Sequence, residues 1–135
     1  MSLSAAITAL VTVAGTVSGV VRAYSDPPES ISEFPAALVY ADRGTLEGIS
    51  SGLSRNIHQI RIDILSERTQ LPAAVNEAKA WPDSLQSKLR ANETLSGAVS
   101  AIVWPVTYEA IAMQYNSLTH YGMRFTVPVK IMEAV

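Results

Sequence analysis

Residues 121–132 read YGMRFTVPVKIM. Tyr121, Met123, Phe125, Val127, Val129 and Ile131 alternate with Gly122, Arg124, Thr126, Pro128, Lys130 and Met132. Successive side chains on a strand point to opposite faces, so this period of two specifies a strand covered on one face only. Parity places Phe125 in the core and Arg124 outside it. Pro128 has no amide hydrogen to give to a ladder, so the strand is expected to lie at a sheet edge or to carry a bulge.

Working outward, residues 57–67 repeat the pattern. His58, Ile60, Ile62 and Ile64 share one face, while Gln59, Arg61, Asp63 and Glu67 share the other, where alternating charges read as solvation and cross-strand pairing. The stretch FPAALVYAD, residues 34–42, is short, apolar and flanked by Pro and a charged turn, and reads as a largely buried strand. Between these two strands lies RGTLEGISSGLSRN, residues 43–56, which is longer than neighbouring strands need and is expected to be a long hairpin connection. Its Leu46, Ile49 and Leu53 are spaced as on a helical turn, which marks a segment able to order against a partner. Arg43, Leu46, Glu47, Ile49, Leu53 and Arg55 are therefore the candidate assembly-interface residues. Residues 99–115 read as a strand interrupted at Trp104-Pro105, with Tyr108 to Tyr115 its better half, and Asn116 to His120 as a turn.

Helical spacing appears at two places. Leu3, Ile7, Leu10, Ala14, Val17 and Val21 recur on one stripe, with Ser4, Thr8, Thr12, Thr16 and Gly19 opposite, which specifies an amphipathic helix over a core. A membrane span would be apolar all round, and a secretory signal would carry a basic residue before Arg22. The helix is expected to end near Arg22 to Tyr24, before the linker Asp26-Pro27-Pro28-Glu29. Residues 71–92 form the second helical region, striped by Leu71, Val75, Ala78, Leu85 and Leu89, with Pro82 giving a kink or two helices meeting near Trp81 and Asn92 as a C-terminal cap. This order predicts one α+β domain over residues 1–135. It has two layers: a mostly antiparallel sheet of about four strands, and an N-terminal helix and a helical crossover packed on one of its faces.

With 135 residues, the chain is long enough for a single core without disulfide or metal. A net charge of −2 offers no basic field for tight phosphate binding. Charged residues make up 16 %, against about 25 % in an average globular domain, so part of the surface is expected to be interface. Cysteine is absent and the histidines are His58 and His120, so no compact metal-ligand spacing can be written. His58, on the apolar face of its strand, reads as a core or interface histidine. Gly44, Gly48 and Gly52 match neither a phosphate loop nor a dinucleotide fingerprint, and no G-x-S-x-G elbow occurs. No catalytic residue, metal or cofactor is expected.

Three features combine into a family likeness. The element order is an amphipathic helix, a strand opening F-P-A, a long loop and an amphipathic strand. A helix closes on an N-x-T-L-x-G turn at Asn92, Thr94, Leu95 and Gly97, and the last strand opens on Tyr121, Gly122 and Phe125. In these respects the chain resembles the tail-terminator, or minor tail, proteins at the neck of long-tailed phages, and the resemblance spans nearly the whole chain. It implies a ring former, typically of six copies, that caps the tail tube, stops its growth and presents a surface to the head connector. It further implies the tail tube protein and a head-completion protein as partners, DNA passing through without specific binding, no membrane, and a place in the virion after assembly in the host cytoplasm. Another neck, head-completion or baseplate adaptor protein is the nearest alternative, and a small-ligand or enzymatic α+β domain the more distant one.

Overall fold

The computed structural model describes residues 1–67, 71–115 and 117–134. In chain order it contains α1 (Leu3–Ala14), β1 (Arg22–Tyr24), β2 (Ala36–Ser50), β3 (Leu53–Leu65), α2 (Leu71–Ala78), α3 (Trp81–Ala91), β4 (Ala101–Ile102), β5 (Thr107–Tyr115) and β6 (Leu118–Ala134). The strands form one six-stranded sheet in the order β1-β2-β3-β6-β4, with β5 also paired to β6. Only β1 and β2 run parallel.

The fold is α+β, as the order of elements required, but the sheet has six strands instead of about four. One extra strand is β1, which exists because the first helix stops at Ala14 and not near Tyr24. Its start is fixed by Ser2, whose side chain accepts from the Ala5 N–H at 3.0 Å. Its end follows from residues 15–19, GTVSG: poor helix formers, with Gly15 as the cap and Gly19 in the left-handed region at φ 85°. The freed chain lies beside β2, pairing Arg22 with Ala36 and Tyr24 with Leu38. The other extra strand, β4, is the first half of the interrupted segment, cut from β5 at Trp104-Pro105.

The main core lies between the helices and one sheet face. Ala6, Leu10 and Ala14 of α1 and Trp81, Leu85 and Leu89 of α3 meet Val39, Ile60, Ile62, Ile64, Phe125, Val127, Val129 and Ile131, all buried. Register aligns these side chains: Val39 pairs with Ile62, Ile62 with Phe125, and Ile60 with Val127. Each such burial stabilises by about 1.5–3 kcal/mol relative to exposure, so the alternation of the β6 sequence is what places this sheet against the helices. The proline at 82 gives two helices, with Pro82 inside the first turn of α3 where its missing N–H leaves no bond unmade. Past Asn92 the chain turns through left-handed Leu95, Ser96 and Gly97. Asn92 holds this turn by accepting from the Ser96 N–H at 2.8 Å and donating to the Ser96 hydroxyl at 3.1 Å, which lets Leu95 reach the core.

The opposite sheet face is not simply wet. After β1 the linker folds back, and Ile31 is buried with Ala36, Leu38 and Leu65 in a second, smaller cluster that Phe34 and Tyr40 flank. His120 lies in β6, not in a turn, and is buried with its ring stacked 4.2 Å from Phe34. Its Nδ1 donates to the Ser66 carbonyl at 2.9 Å. The Asn116 part of the expected turn lies outside the described residues.

β6 is interior, against the expectation of an edge. It pairs with β3 from Leu53–Ala134 to Leu65–Gly122 without a shift. Pro128 is accommodated by its other neighbour. Its carbonyl accepts from the Val103 N–H at 2.8 Å, so its nitrogen faces the same way, towards the point where the chain leaves the ladder at Trp104. The gap in the ladder that a proline demands thus lies in the adjacent segment, between β4 and β5.

Candidate assembly surfaces

The candidate residues Arg43, Leu46, Glu47, Ile49, Leu53 and Arg55 are brought together, though not on a loop. Residues 43–50 and 53–56 continue β2 and β3 as a hairpin arm, closed at Ser51-Gly52 with Gly52 at φ 88°. The helical spacing of Leu46, Ile49 and Leu53 is therefore not realised. The two-residue Ser-Gly turn between extended stretches was the signal for a hairpin. Pairs Gly44–His58, Leu46–Asn56 and Glu47–Arg55 carry the ladder outward, and the end of β6 pairs with β3 along the arm, so three strands support it.

Local contacts stiffen this arm. Asp42 lies at the register shift between Ala41 and Arg43, accepting from Arg43 Nε at 3.4 Å and pairing with Arg61 at 3.3 Å. Arg55 Nη2 donates to both Glu47 carboxylate oxygens, at 3.1 and 3.2 Å, and the Asn56 side-chain Oδ1 accepts from the Glu47 N–H at 3.2 Å. These charges pair with one another and leave the apolar side chains unmatched: Leu46 is 78 % exposed and Ile49 44 % exposed. Leu53 is half-buried beside the turn.

A second surface lies across the sheet. On the helix-bearing face an open groove of about 640 Å³ runs between α3 and the β4–β5 edge, lined chiefly by Leu85, Leu89, Trp104, Val106, Tyr108 and Phe125. The interruption in the strand builds its wall. The Trp104 indole donates to Glu93 Oε1 at 2.6 Å, and the Arg90 guanidinium lies 5.3 Å from the ring centroid. The polar groups of the groove, Asp83, Gln86 and Arg90, all come from α3, so they form one rim instead of converging on a point. Beside it β5 is an edge strand, bonded to β6 on one side, with Tyr108 59 % exposed. Sequence reasoning did not single out this groove, because Leu85 and Leu89 read as ordinary core positions. The exposed aromatic of an interrupted strand was its trace.

The charged residues between these surfaces also depart from expectation. Asp63 is fully buried, not solvated, and Arg124 is drawn onto it through Nε–Oδ1 at 2.9 Å and Nη2–Oδ2 at 3.2 Å. Tyr40 donates its hydroxyl to Asp63 Oδ2 at 2.6 Å. The hydrogen bond it donates to Asp63 pushes the Arg124 guanidinium well above its ordinary range, and burial raises the Tyr40 phenol, with the Asp63 hydrogen bond and charge adding to it. Three hydrogen bonds from two residues on one carboxylate make this a structural tie between β2, β3 and β6. Glu67, expected on the wet face of β3, is exposed but lies past the end of that strand at Leu65.

Among the described residues no group of three or more His, Cys, Asp or Glu side chains is placed to hold a metal ion, and no helix is long and apolar enough to cross a membrane. No protein-family model matches the chain, and no curated protein is significantly similar to it.

Proposed function

We propose that this chain is a ring-forming structural protein of the tail-terminator kind. It caps the tail tube of a long-tailed phage, stops its elongation and offers the joining surface for the head. The observation that carries the assembly part is the coexistence on one chain of an arm with an exposed apolar tip and a separate apolar groove beside an open strand edge. Unlike surfaces on one chain make head-to-tail contacts, which close into a ring when the rotation permits. The phage assignment draws on the resemblance in element order, the Asn92–Gly97 turn and the Tyr121–Phe125 strand opening.

The role asks for no catalytic residue, cofactor or membrane. Its partners are further copies of the chain, most simply six by the resemblance, with the tube protein on one ring face and a head-completion protein on the other. With a net charge of −2 the lumen holds DNA phosphates weakly, which suits a passage. Many weak contacts made at once by a rigid ring give a long residence on the tube end. The open groove gives some weight to a second reading, a small-ligand domain, because clefts of this size commonly hold ligands.

Particles assembled without this chain test the assignment. Overlong tails, or tails without heads, by electron microscopy are the expected result. Tails of normal length joined to heads would overturn the terminator role.

A further inference from the structure

The groove between α3 and the β4–β5 edge has an occupant available in the same polypeptide. Among the described residues the exposed large apolar side chains are Met1, Val21, Leu46, Ile49, Val103, Tyr108 and Leu118. Of these, Leu46 and Ile49 tip the arm, and Val103 and Tyr108 lie along the β4–β5 edge, so most of the unmatched apolar surface falls at these two places. We infer that the arm of one copy seats Leu46 in the α3–β5 groove of the next copy, with Ile49 at the register shift by the turn bordering the contact, and that this contact is the one that closes the ring. The inference rests on the ring reading above and adds which surfaces meet.

The two surfaces cannot meet within one chain. Leu46 is level with Ile131 through Asn56, whereas Tyr108 is level with Phe125, which lies six positions earlier on β6. That is roughly 20 Å along the strands and roughly 14 Å across the spacings from β2 to β5. A second copy is therefore required, and the unlike surfaces make the contact heterologous.

Charge agrees with this pairing. The arm carries Arg43 and Arg55 against Glu47, a net +1, while the groove side carries Asp83 and Glu93 against Arg90, a net −1. Arg55 pairs with Glu47, and Arg43 and Arg61 share the one Asp42 carboxylate, so a positive charge stays in excess at the base of the arm, where the Arg43 side chain is 71 % exposed. The seat is also ready-made, because Trp104 is fixed by Glu93 and Arg90 before any partner arrives. The edge beside it lacks the usual guards: residues 107–115 contain no lysine, arginine or proline, only Glu109.

The absence of cysteine makes the contact directly readable. The full-length double variant Leu46→Cys/Tyr108→Cys is oxidised mildly, and its products are separated without reductant while the mass of the wild-type chain is measured by light scattering. A covalent ladder rising to the ring copy number is expected, with Leu46→Cys alone giving none. The pair Ile49→Cys/Val106→Cys repeats the test in case the first variant folds poorly. A ring-sized mass without a ladder in either folded pair, or dimers from Leu46→Cys alone, overturns the arm-in-groove contact while leaving the ring intact. A wild-type chain that stays monomeric at all concentrations overturns the ring reading, and this contact with it.

Discussion

Arg124→Ala would strand the Asp63 carboxylate in a site without solvent, leaving it, among the described residues, the Tyr40 hydroxyl. Breaking a buried pair from one side costs about 3–5 kcal/mol, so urea denaturation should show a loss comparable to that of Phe125→Ala. Parity alone predicts a near-neutral change there, so the experiment separates the two accounts. The same cluster gives a pH dependence. Burial first, then the hydrogen bond to Asp63, raises the Tyr40 phenol above its ordinary value of 10.0. The folded state thus holds the phenolic proton more tightly than the unfolded chain. The resulting stabilisation is complete below the ordinary value and is lost as pH climbs through the raised one. Urea midpoints measured from about pH 8 to about pH 11 should fall at the alkaline end, and Tyr40→Phe should flatten part of the fall, the Tyr115 phenol, also raised by burial, acting in the same sense. At this scale the sequence was legible where apolarity decides, as at Phe125, and illegible at Asp63. A charge on the exposed parity of a strand says nothing about the linker and neighbouring strands that cover it.

Between strands, Gly122 marks a close approach of β6 to β3. A Cβ there would collide with the Ile64 carbonyl and with Leu65 Cδ2, and backbone on the partner strand cannot rotate aside. Gly122→Ala is expected to cost more than about 2 kcal/mol, in the range of overpacked cores, whereas Gly48→Ala on the arm meets nothing and should change stability by less than about 0.5 kcal/mol. Equal thermal shifts for the two would show that β3 and β6 are not in the register described. The period of two made β3 and β6 readable, and Pro82 made the α2–α3 break readable. The arm was hidden because three glycines and a run of serines dilute alternation in a strand pair that has no core to face. The position of β6 was hidden for another reason: Pro128 does demand a gap in the ladder, but the gap lies in the neighbouring strand, at Trp104-Pro105.

For the whole molecule, low charge pointed to interface without saying where, since composition carries no coordinates. On the reading proposed above, the two open sheet edges are where the interface falls. β1 is only three residues long and covers β2 as far as Leu38, so the outer half of β2 is open along the arm, while β5 is open along the far side. β3 and β6, paired from Leu53–Ala134 to Leu65–Gly122, link the arm to the rest of the molecule. Their geometry has a mechanical side. A pull between the arm and the opposite end of the sheet, where β5 turns into β6, acts along these strands and loads their hydrogen bonds together, in shear. A force across the strands would peel them one pair at a time. A subunit gripped at its arm is therefore stiffest along its length, and it should give way sideways, at the short β4 contact or the β5 margin, long before its central strands slide.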